Sequence, residues 1–350
     1  MRAAVMRGSK IVVDTVQDPE PLAGELLVRT LACGICGSDL HALEHGDLMV
    51  EASREAGAPT VMDLDRDVVM GHEFCAEILE YGPKTERRLE PGTRVIHPAI
   101  LIRGAEFHGI GYSNEVPGGF AERMVLSESM LIPVPEGMPS EQAALTEPMA
   151  VGIHAVARSR VSARDSAIVI GCGPVGLAVI AGLRLQEVER IVAADFSPMR
   201  RSLAERLGAH VVVDPGERSA WAAWSEVASV RPPVVFECVG VPGILSGIIR
   251  EAPRFARIVV VGVSMEEERV KPMVAIVKEL TVRFAFGYAI EEFTQTLHAI
   301  AEGRIDVDPL ITGRVGLDGV AAAFEELSHP DRHAKILVDP RQTADRRAVA

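Results

Sequence analysis

The sequence predicts a protein of the α/β class built from two parts: a β-rich part at the start of the chain, then a part with a parallel sheet. Three observations predict this. Short β-rich segments separated by proline and glycine run to about residue 131, strands alternate with helices from Ala167, and a glycine-rich turn opens that alternation. At 350 residues the chain is long enough for two domains of about 100–200 residues each.

The segments of the first part have the length and residue content of strands in an all-β barrel or sandwich. They are 10–16, 25–32, 74–81, 93–97 and 120–126. After Pro139 the pattern changes to helical, because Ser140 can cap a short helix and 148–158 predicts a second one. We therefore expect a domain boundary near residue 150.

The second part alternates strands with helices, which implies parallel strands joined by crossover helices. Its predicted strands are 167–170, 190–195, 211–213, 234–237 and 258–263, with helices at 175–187 and 198–207. Near Ala285 the pattern shifts to helices 290–302 and 317–327 and a last strand at 335–338. These last elements need not belong to the parallel sheet.

Composition and charge argue against several classes of partner. The formal charge is −13 and the basic pairs are scattered among acids, so nucleic-acid binding is not expected. No apolar segment follows the N-terminal charges, and the apolar run 167–183 is broken by glycine and proline, so neither a secretory signal nor a membrane span is predicted. We expect a cytoplasmic protein whose five cysteines are thiols or metal ligands.

The glycine-rich turn has the pattern Gly-x-Gly-x-x-Gly, follows a predicted strand and opens a predicted helix. In that context the pattern predicts a dinucleotide site. Gly171 permits the tight turn, Gly173 lets backbone amides approach a pyrophosphate, and Gly176 lets the helix pack on the strand. Pro174 and Val175 begin the helix at the predicted pyrophosphate site.

An acidic residue completes this pattern. Asp195 ends the next predicted strand, where its carboxylate can accept hydrogen bonds from the ribose hydroxyls of the adenosine. A 2′-phosphate there would face a negative charge, so NAD is favoured over NADP. Arg200 and Arg201 are the contrary evidence, because either can reach such a phosphate.

Two short segments concentrate potential metal ligands. Their polar side chains are Cys33, Cys36, Ser38, Asp39, His41, His72 and Glu73. A thioredoxin-like redox pair belongs at a strand-to-helix start in a βαβ unit, and a zinc ribbon needs a second cysteine pair. Neither context is present, so each segment alone is ambiguous.

Taken together, these segments resemble the zinc-dependent medium-chain dehydrogenase/reductase family. The matching motifs lie at 34–41, 71–73, 117–122 and 146–152, and the resemblance extends in order over nearly the whole chain. It implies a GroES-like, barrel-like catalytic domain formed by residues 1–150 and 286–350, with an inserted Rossmann domain, a doubly wound parallel sheet, at 151–285. It also implies an alcohol dehydrogenase that oxidises a secondary alcohol, polyol or related hydroxy compound by hydride transfer to NAD.

The resemblance implies a role for individual residues by position. Cys36 and His72 would be zinc ligands, Glu147 would occupy the third ligand position, and Glu73 would lie beside the metal and exchange with substrate or water. A glutamate at the third position is typical of polyol- and threonine-dehydrogenase-like members. Three protein ligands leave one coordination position open, as a catalytic zinc requires.

The same resemblance places the groups that handle the proton and the nicotinamide. Ser38 would take the hydroxyl proton of the alcohol and pass it toward His41, while Asp39 would fix the tautomer of His72. Cys238 and Val261 would flank the nicotinamide, although ordinary packing at strand ends explains them equally well.

The chain departs from the family between Val95 and Gly119. Many zinc-dependent members carry four closely spaced cysteines there for a second, structural zinc, and this chain has none. We therefore predict one catalytic zinc and no structural zinc, with His97 and His108 as ordinary loop histidines. The family resemblance further implies a homodimer or homotetramer.

Two other functions remain open at this point. The first is a zinc-free, NADPH-dependent quinone- or enone-reductase-like protein of the same fold, and the second is a catalytically idle nucleotide-binding protein. The ligand set Cys36, His72 and Glu147 counts against both, and Asp195 counts against the first.

Overall fold

The computed structural model describes residues 1–58, 60–104, 106–227 and 231–342. Its described residues divide into two compact units: those in 1–147, 311–329 and 335–342 form the first, and those in 148–310 and 330–334 form the second. The secondary structure is the predicted mixture of a β-rich part and an α/β part.

The first stretch of the chain is mostly strands. Its elements are β1 (Arg2–Arg7), β2 (Lys10–Thr15), β3 (Glu25–Gly34), α1 (Gly37–Glu44), α2 (Gly46–Glu55), β4 (Val68–Val69), β5 (Glu73–Tyr81), β6 (Arg94–Ile96), β7 (Ile100–Arg103), β8 (Glu106–Gly109), β9 (Arg123–Ser127), β10 (Ile132–Pro133) and α3 (Ser140–Ala144).

Strands and helices then alternate, and three further elements return to the first unit. The alternating elements are α4 (Thr146–Ser159), β11 (Ser166–Ile170), α5 (Pro174–Leu185), β12 (Arg190–Ala194), α6 (Pro198–Leu207), β13 (Val211–Val213), α7 (Ala220–Val227), β14 (Val234–Glu237), α8 (Ile244–Glu251), β15 (Arg257–Val260), α9 (Pro272–Lys278), β16 (Thr281–Phe284) and α10 (Ile290–Ala301). The returning elements are β17 (Ile311–Val315), α11 (Val320–Leu327) and β18 (Lys335–Val338).

The first unit is organised around β3. This strand pairs antiparallel with β5, β9 and β18, in a sheet whose main order is β10-β6-β5-β3-β18-β17. Apolar residues of these strands, such as Leu26, Val28, Phe74 and Ile78, pack into one core together with Phe120 and, from α11, Phe324. Because Gly34 is paired with both Glu73 and Leu337, the end of β3 meets the starts of β5 and β18.

The second unit contains a six-stranded parallel sheet of order β13-β12-β11-β14-β15-β16. Parallel sheets are covered on both faces, and the central strands are accordingly apolar and buried along their length. The register pairs Ile170 with Glu237 and Glu237 with Val260, so the carboxyl ends of β11, β14 and β15 lie side by side. This is the doubly wound arrangement that the resemblance implies.

The division into units differs from the predicted limits of 151 and 285 in one element. Helix α10 groups with the second unit, where Phe293 and Leu297 are buried and Glu292 Oε2 lies 2.7 Å from His154 Nδ1 on α4. The first unit therefore resumes at Ile311 rather than at residue 286. The end of the predicted range, 343–350, lies outside the described residues.

Within the ranges that the structure describes, no helix combines the length and the apolar content needed to cross a bilayer.

Candidate metal centre and dinucleotide loop

Three potential metal ligands meet where β3 ends and β5 begins. Cys36, His72 and Glu73 each offer one ligand atom, and these atoms all lie within 4.8 Å of one another. His72 and Glu73 are buried and Cys36 is partly exposed. Ligands of a tetrahedral zinc lie about 3.3–3.8 Å apart, so small side-chain movements would bring this set to zinc geometry.

Backbone features explain why these side chains converge. A Cβ at Gly34 would overlap the Glu73 carboxylate, so glycine leaves room for that group against β3. Helix α1 begins directly after Cys36, and the Cys36 backbone N–H donates to Asp39 Oδ2 at 2.9 Å. This bond satisfies an N–H at the helix start and fixes the Cys36 backbone.

A lysine balances the charge of the cluster. Lys335, at the start of β18, is 2% exposed, and its Nζ lies 2.7 Å from both carboxylate oxygens of Glu73 and 3.0 Å from the Ile35 carbonyl oxygen. Burial by itself lowers the lysine pKa, but Glu73 and Cys36 outweigh it, so the pKa of Lys335 is raised and the ammonium stays charged. An unpaired Glu73 carboxylate would be costly at a site with no exposed area.

His72 is held between a carboxylate and an aromatic ring. Its Nδ1 lies 3.3 Å from Asp39 Oδ1 but does not reach hydrogen-bond geometry, and its ring centroid lies 5.2 Å from that of Tyr112. Burial opposes the charged imidazole, but Asp39 and Cys36 raise the pKa of His72 well above its usual range. A metal ligand must be neutral at its coordinating nitrogen, so a metal and a proton compete for this side chain.

Ser38 is hydrogen-bonded to a residue that the sequence did not single out. Tyr112 Oη donates to Ser38 Oγ at 2.8 Å and lies 3.2 Å from Asp39 Oδ1. Burial raises the pKa of Tyr112 well above its usual range, so the phenol remains a donor. In the described part of the chain His41 makes no hydrogen bond to Ser38; its ring faces His45 at 6.3 Å, and burial lowers its pKa.

Glu147 lies in the first turn of α4 and is 8% exposed. It is not one of the three ligands that lie within 4.8 Å of one another. It is nevertheless near enough to Lys335 to raise the pKa of that ammonium.

The glycine loop has the geometry that a dinucleotide site needs. Gly171 adopts a φ of +90° that few other residues tolerate, and a Cβ at Gly176 would overlap the Gly171 carbonyl oxygen. At Gly173, in contrast, the nearest atom to an added Cβ is an Arg200 nitrogen at 3.8 Å. No side chain forms a capping hydrogen bond at the N-terminus of α5. The first backbone N–H groups of this helix are therefore available to bind a ligand beside Gly173.

Asp195 is tied to this loop. Its carboxylate oxygens accept hydrogen bonds from the backbone N–H groups of Cys172 at 2.7 Å and Ser197 at 2.8 Å. Arg201 is occupied, since its Nη1 donates to the carbonyl oxygens of Asp195 and Phe196 and to Asp214. The buried Nε of Arg200 has no hydrogen-bond partner among the described residues.

Cys238 and Val261 follow β14 and β15 at the same sheet edge as Gly171, as the register requires. Burial raises the pKa of the Cys238 thiol well above its usual range, so it is not a reactive thiolate. The sequence did not single out Glu237 as a site residue. It is 3% exposed, and its Oε1 accepts hydrogen bonds from the backbone N–H groups of Val239 and Gly240. It therefore fixes the turn that contains Cys238.

A hairpin of β7 and β8 occupies the region that lacks cysteines. Arg103 pairs with the buried Glu25 at 2.7 Å and thereby fixes the hairpin to β3. His97 is fully enclosed: its Nδ1 contacts the Pro98 carbonyl oxygen at 2.6 Å and its Nε2 accepts the Ser127 N–H. Both ring nitrogens are occupied, which agrees with a loop histidine.

The donor set fits zinc, and the loop fits a dinucleotide. A thiol, an imidazole and a carboxylate in a partly exposed cluster are the ligand types of catalytic zinc sites. Open space before Gly173, uncapped N–H groups and a carboxylate at the end of the next strand are the features of a nicotinamide dinucleotide site.

Two residues beside the cluster, Lys335 and Tyr112, were not singled out from the sequence. A lysine at the start of the apolar strand Lys-Ile-Leu-Val was a signal for the first, because a buried lysine requires a charged partner. Tyr112 follows a glycine in a loop and carries no comparable signal.

Comparison with known proteins gives matches in both parts of the chain. Residues 22–136 match the family model of the alcohol dehydrogenase GroES-like domain, and residues 174–302 match that of zinc-binding dehydrogenases. The chain is 31% identical to (R,R)-butanediol dehydrogenase of Bacillus subtilis, over 97% of this chain and 100% of that protein. It is 27% identical to sorbitol dehydrogenase of the same organism, over 98% of each.

Solved structures show the same similarity. The crystal structure of 2R,3R-butanediol dehydrogenase from Bacillus subtilis superposes with a TM-score of 0.83 over 97% of this chain and 99% of that one, at 31% identity. A Sinorhizobium meliloti structure described as a zinc-binding dehydrogenase bound to NADP also gives 0.83, at 27% identity over 97% and 99% of the two chains.

Proposed function

Since the chain belongs to the zinc-dependent medium-chain dehydrogenase family, we propose that it oxidises a secondary alcohol or polyol by hydride transfer to NAD. The observation that carries the proposal is the cluster of Cys36, His72 and Glu73, with their ligand atoms within 4.8 Å. The butanediol and sorbitol dehydrogenases among its relatives support this class of substrate. Neither a zinc-free reductase nor an idle nucleotide-binding protein requires this cluster.

The chemistry follows from the residues around the cluster. A zinc ion bound there supplies a Lewis acid that makes an alcohol hydroxyl more acidic, and a nicotinamide supplies the hydride acceptor. Ser38 accepts the hydroxyl proton, and we place His41 at the outer end of its path to solvent. Asp39 orients His72, and the Lys335 ammonium offsets the Glu73 charge.

We assign Cys36, His72 and Glu147 as the resting zinc ligands, with Glu73 as the group that exchanges. The pairing of both Glu73 oxygens with Lys335 supports this assignment, because a carboxylate so engaged is a weaker ligand. The separation of Glu147 from the compact set argues against it. Glu147→Gln should lose zinc and Glu73→Gln should keep it; the reverse result, by atomic spectroscopy, would make Glu73 the third ligand.

We propose one zinc per chain. The absence of cysteine between Val95 and Gly119, and the pairing of Arg103 with Glu25 in the hairpin there, support a region that folds without metal. A content of two zinc ions per chain in freshly purified protein would contradict this.

For the cofactor we propose NAD rather than NADP. The carboxylate of Asp195 beside the loop supports NAD. Arg201, one of the two arginines that could bind the 2′-phosphate of NADP, is instead paired with Asp214. Arg200 and the NADP bound in the Sinorhizobium structure are the opposing observations. We expect kcat/KM to favour NAD by at least about tenfold, or 1.4 kcal/mol, and a preference for NADP would overturn the assignment.

We also propose a homo-oligomer, a dimer or tetramer, formed through the edge of the parallel sheet. Strand β16 ends that sheet, and the nearby apolar side chains are unusually exposed: Phe286 is 92%, Phe284 69% and Met273 68% exposed. Phe286→Asp should therefore reduce the mass measured by light scattering to that of one chain. Phe107→Asp, on the β7–β8 hairpin, is the control.

The central test is Cys36→Ala, assayed for NAD reduction with a panel of secondary alcohols and polyols. The variant should lose zinc and turnover while NADH still binds, because the dinucleotide loop does not involve Cys36. Turnover retained by the variant, or zinc below about half an ion per chain in the wild type, would refute the proposal.

A further inference from the structure

Tyr112 is placed against the metal cluster by a close backbone contact. Gly111 has a φ of +86°, and a Cβ there would lie 3.0 Å from the Gly71 backbone nitrogen, so this approach needs glycine. The Tyr112 N–H donates to the Gly109 carbonyl oxygen at 3.0 Å, which closes the turn. The ring consequently lies over His72, with the rings inclined at 38°.

The Tyr112 hydroxyl contacts Ser38, which accepts the proton of the alcohol in the proposed function. We infer that Tyr112 is a positioning residue for this reaction, whose O–H fixes the Ser38 hydroxyl in the orientation that accepts the substrate proton. The inference rests on the proposed function and adds to it a residue with no assigned role. The carrying observation is the 2.8 Å bond from Tyr112 Oη to Ser38 Oγ, which is shorter than the 3.2 Å contact of the same hydroxyl with Asp39 Oδ1.

Counting donors and acceptors shows what this bond does. A serine hydroxyl has one proton and two acceptor lone pairs. When Tyr112 donates to one lone pair, the other is left for the proton of the alcohol, and the serine's own proton is left to move outward. Ser38 gains one proton from the substrate and releases its own to solvent water at its exposed side, while Tyr112 keeps its proton throughout.

The bond also lowers the energy of the transfer. Negative charge grows on Ser38 Oγ if its own proton departs early, and a fixed donor stabilises that charge without reorganisation. Without the phenol, the half-exposed Ser38 side chain can rotate among its staggered positions. Only some of those rotamers direct a lone pair at the substrate.

The test is a double-mutant cycle of Tyr112→Phe and Ser38→Ala in the zinc-loaded enzyme. The phenylalanine keeps the ring over His72 and removes only the hydroxyl. We expect Tyr112→Phe to lower kcat by about ten- to a hundredfold, less than the roughly 10²–10⁴-fold supplied by a group that itself transfers the proton, with a smaller change in KM and a larger solvent deuterium isotope effect. In the Ser38→Ala background, Tyr112→Phe should add less than about a twofold loss, because the two act as one unit.

Tyr81→Phe is the matched control, since it removes a phenol that donates to the Leu89 carbonyl oxygen in the same unit, and it should leave kcat unchanged. Equal losses from Tyr112→Phe in both backgrounds, or loss of bound zinc in that variant, would show that the phenol serves Asp39, His72 or the fold, and would overturn the inference. Wild-type kcat in Tyr112→Phe would overturn it as well.

Failure of the proposed function gives a different result. A wild-type enzyme inactive with every alcohol, or a Ser38→Ala variant with full activity, would remove the proton acceptor itself and with it the role of Tyr112. An active wild type, an impaired Ser38→Ala and an unimpaired Tyr112→Phe would refute only the inference.

Discussion

The metal cluster and the dinucleotide loop are built in opposite ways. The cluster brings together charged side chains from distant stretches of chain, and Lys335 and Glu73 are separated by 262 positions. The loop is made from consecutive residues whose glycines leave backbone N–H groups and empty space. The difference shows that removing a charge is the damaging change in the first region and that adding volume is the damaging change in the second.

The largest expected effect follows from removing the lysine of the cluster. Lys335→Met leaves the buried Glu73 carboxylate without its partner, which should lower the free energy of unfolding of the first unit by about 3–5 kcal/mol. The measurement is urea unfolding of zinc-depleted protein.

A second substitution separates charge from packing in that experiment. Adding Glu73→Gln to Lys335→Met should recover much of the loss, since the uncompensated charge is then gone. If the double variant is as unstable as Lys335→Met alone, packing of the lysine stem rather than charge pairing holds β18 in place.

His97 is buried in the same unit as the charged pair of Lys335 and Glu73, but it is buried in its neutral form. Burial lowers its pKa to about 4, against about 6.5 in the unfolded chain. Above pH 6.5 both states are neutral at this position. Between pH 6.5 and 4 only the unfolded state takes up the proton. The free energy of unfolding should therefore decrease by up to about 3 kcal/mol as the pH is lowered from 6.5 to 4.

Variants can assign this pH dependence to His97. His97→Gln should be less stable at neutral pH but should lose less further stability down to pH 4, whereas His298→Gln on the exposed face of α10 should follow the wild type. Equal pH slopes in wild type and His97→Gln would mean that other groups dominate.

Substitutions in the glycine loop should change stability less, and two of them form a matched pair. Gly176→Ala places a Cβ against the Gly171 carbonyl oxygen, so α5 must move from β11 at a cost of about 1–3 kcal/mol. Gly173→Ala meets nothing closer than 3.8 Å, and its φ of −67° suits alanine, so stability should be nearly unchanged.

Cofactor binding distinguishes the same pair. Gly173→Ala fills the space in front of the uncapped N–H groups and should weaken NADH binding by about tenfold, which corresponds to 1.4 kcal/mol. Fluorescence titration with NADH measures this. Undiminished affinity in Gly173→Ala would place the pyrophosphate elsewhere.

The two regions also differ in how far the sequence predicts them. Gly171, Gly176 and Asp195 lie within 25 consecutive residues, and local conformation fixes their arrangement, so the pattern predicted the loop geometry that the structure has. The cluster depends on strand register: Gly34 pairs with both Glu73 and Leu337, and no local pattern encodes that pairing. Cys36 and His72 were proposed as ligands from family motifs, whereas the contacts of Lys335 and Tyr112 become visible only when distant strands and loops are assembled.

The parallel sheet and the β-rich part were both predicted from the pattern of apolar residues, because the burial of each strand is reflected in its own sequence. The predicted limit of the second unit, residue 285, precedes α10, whereas the compact unit runs on to Leu310. The pattern of α10 shows that one face is apolar but not which unit that face covers. Contacts such as that between His154 and Glu292 decide the matter, and they join residues 138 positions apart.

The pairing of Lys335 with Glu73 has a consequence for biogenesis. Cys36, His72 and Glu73 leave the ribosome early, but the ammonium that neutralises their surroundings belongs to β18, near the end of the chain. Translation proceeds at about 5–20 residues per second, so Glu73 is synthesised many seconds before the lysine that pairs with it. The centre is complete only once β18 has paired with β3.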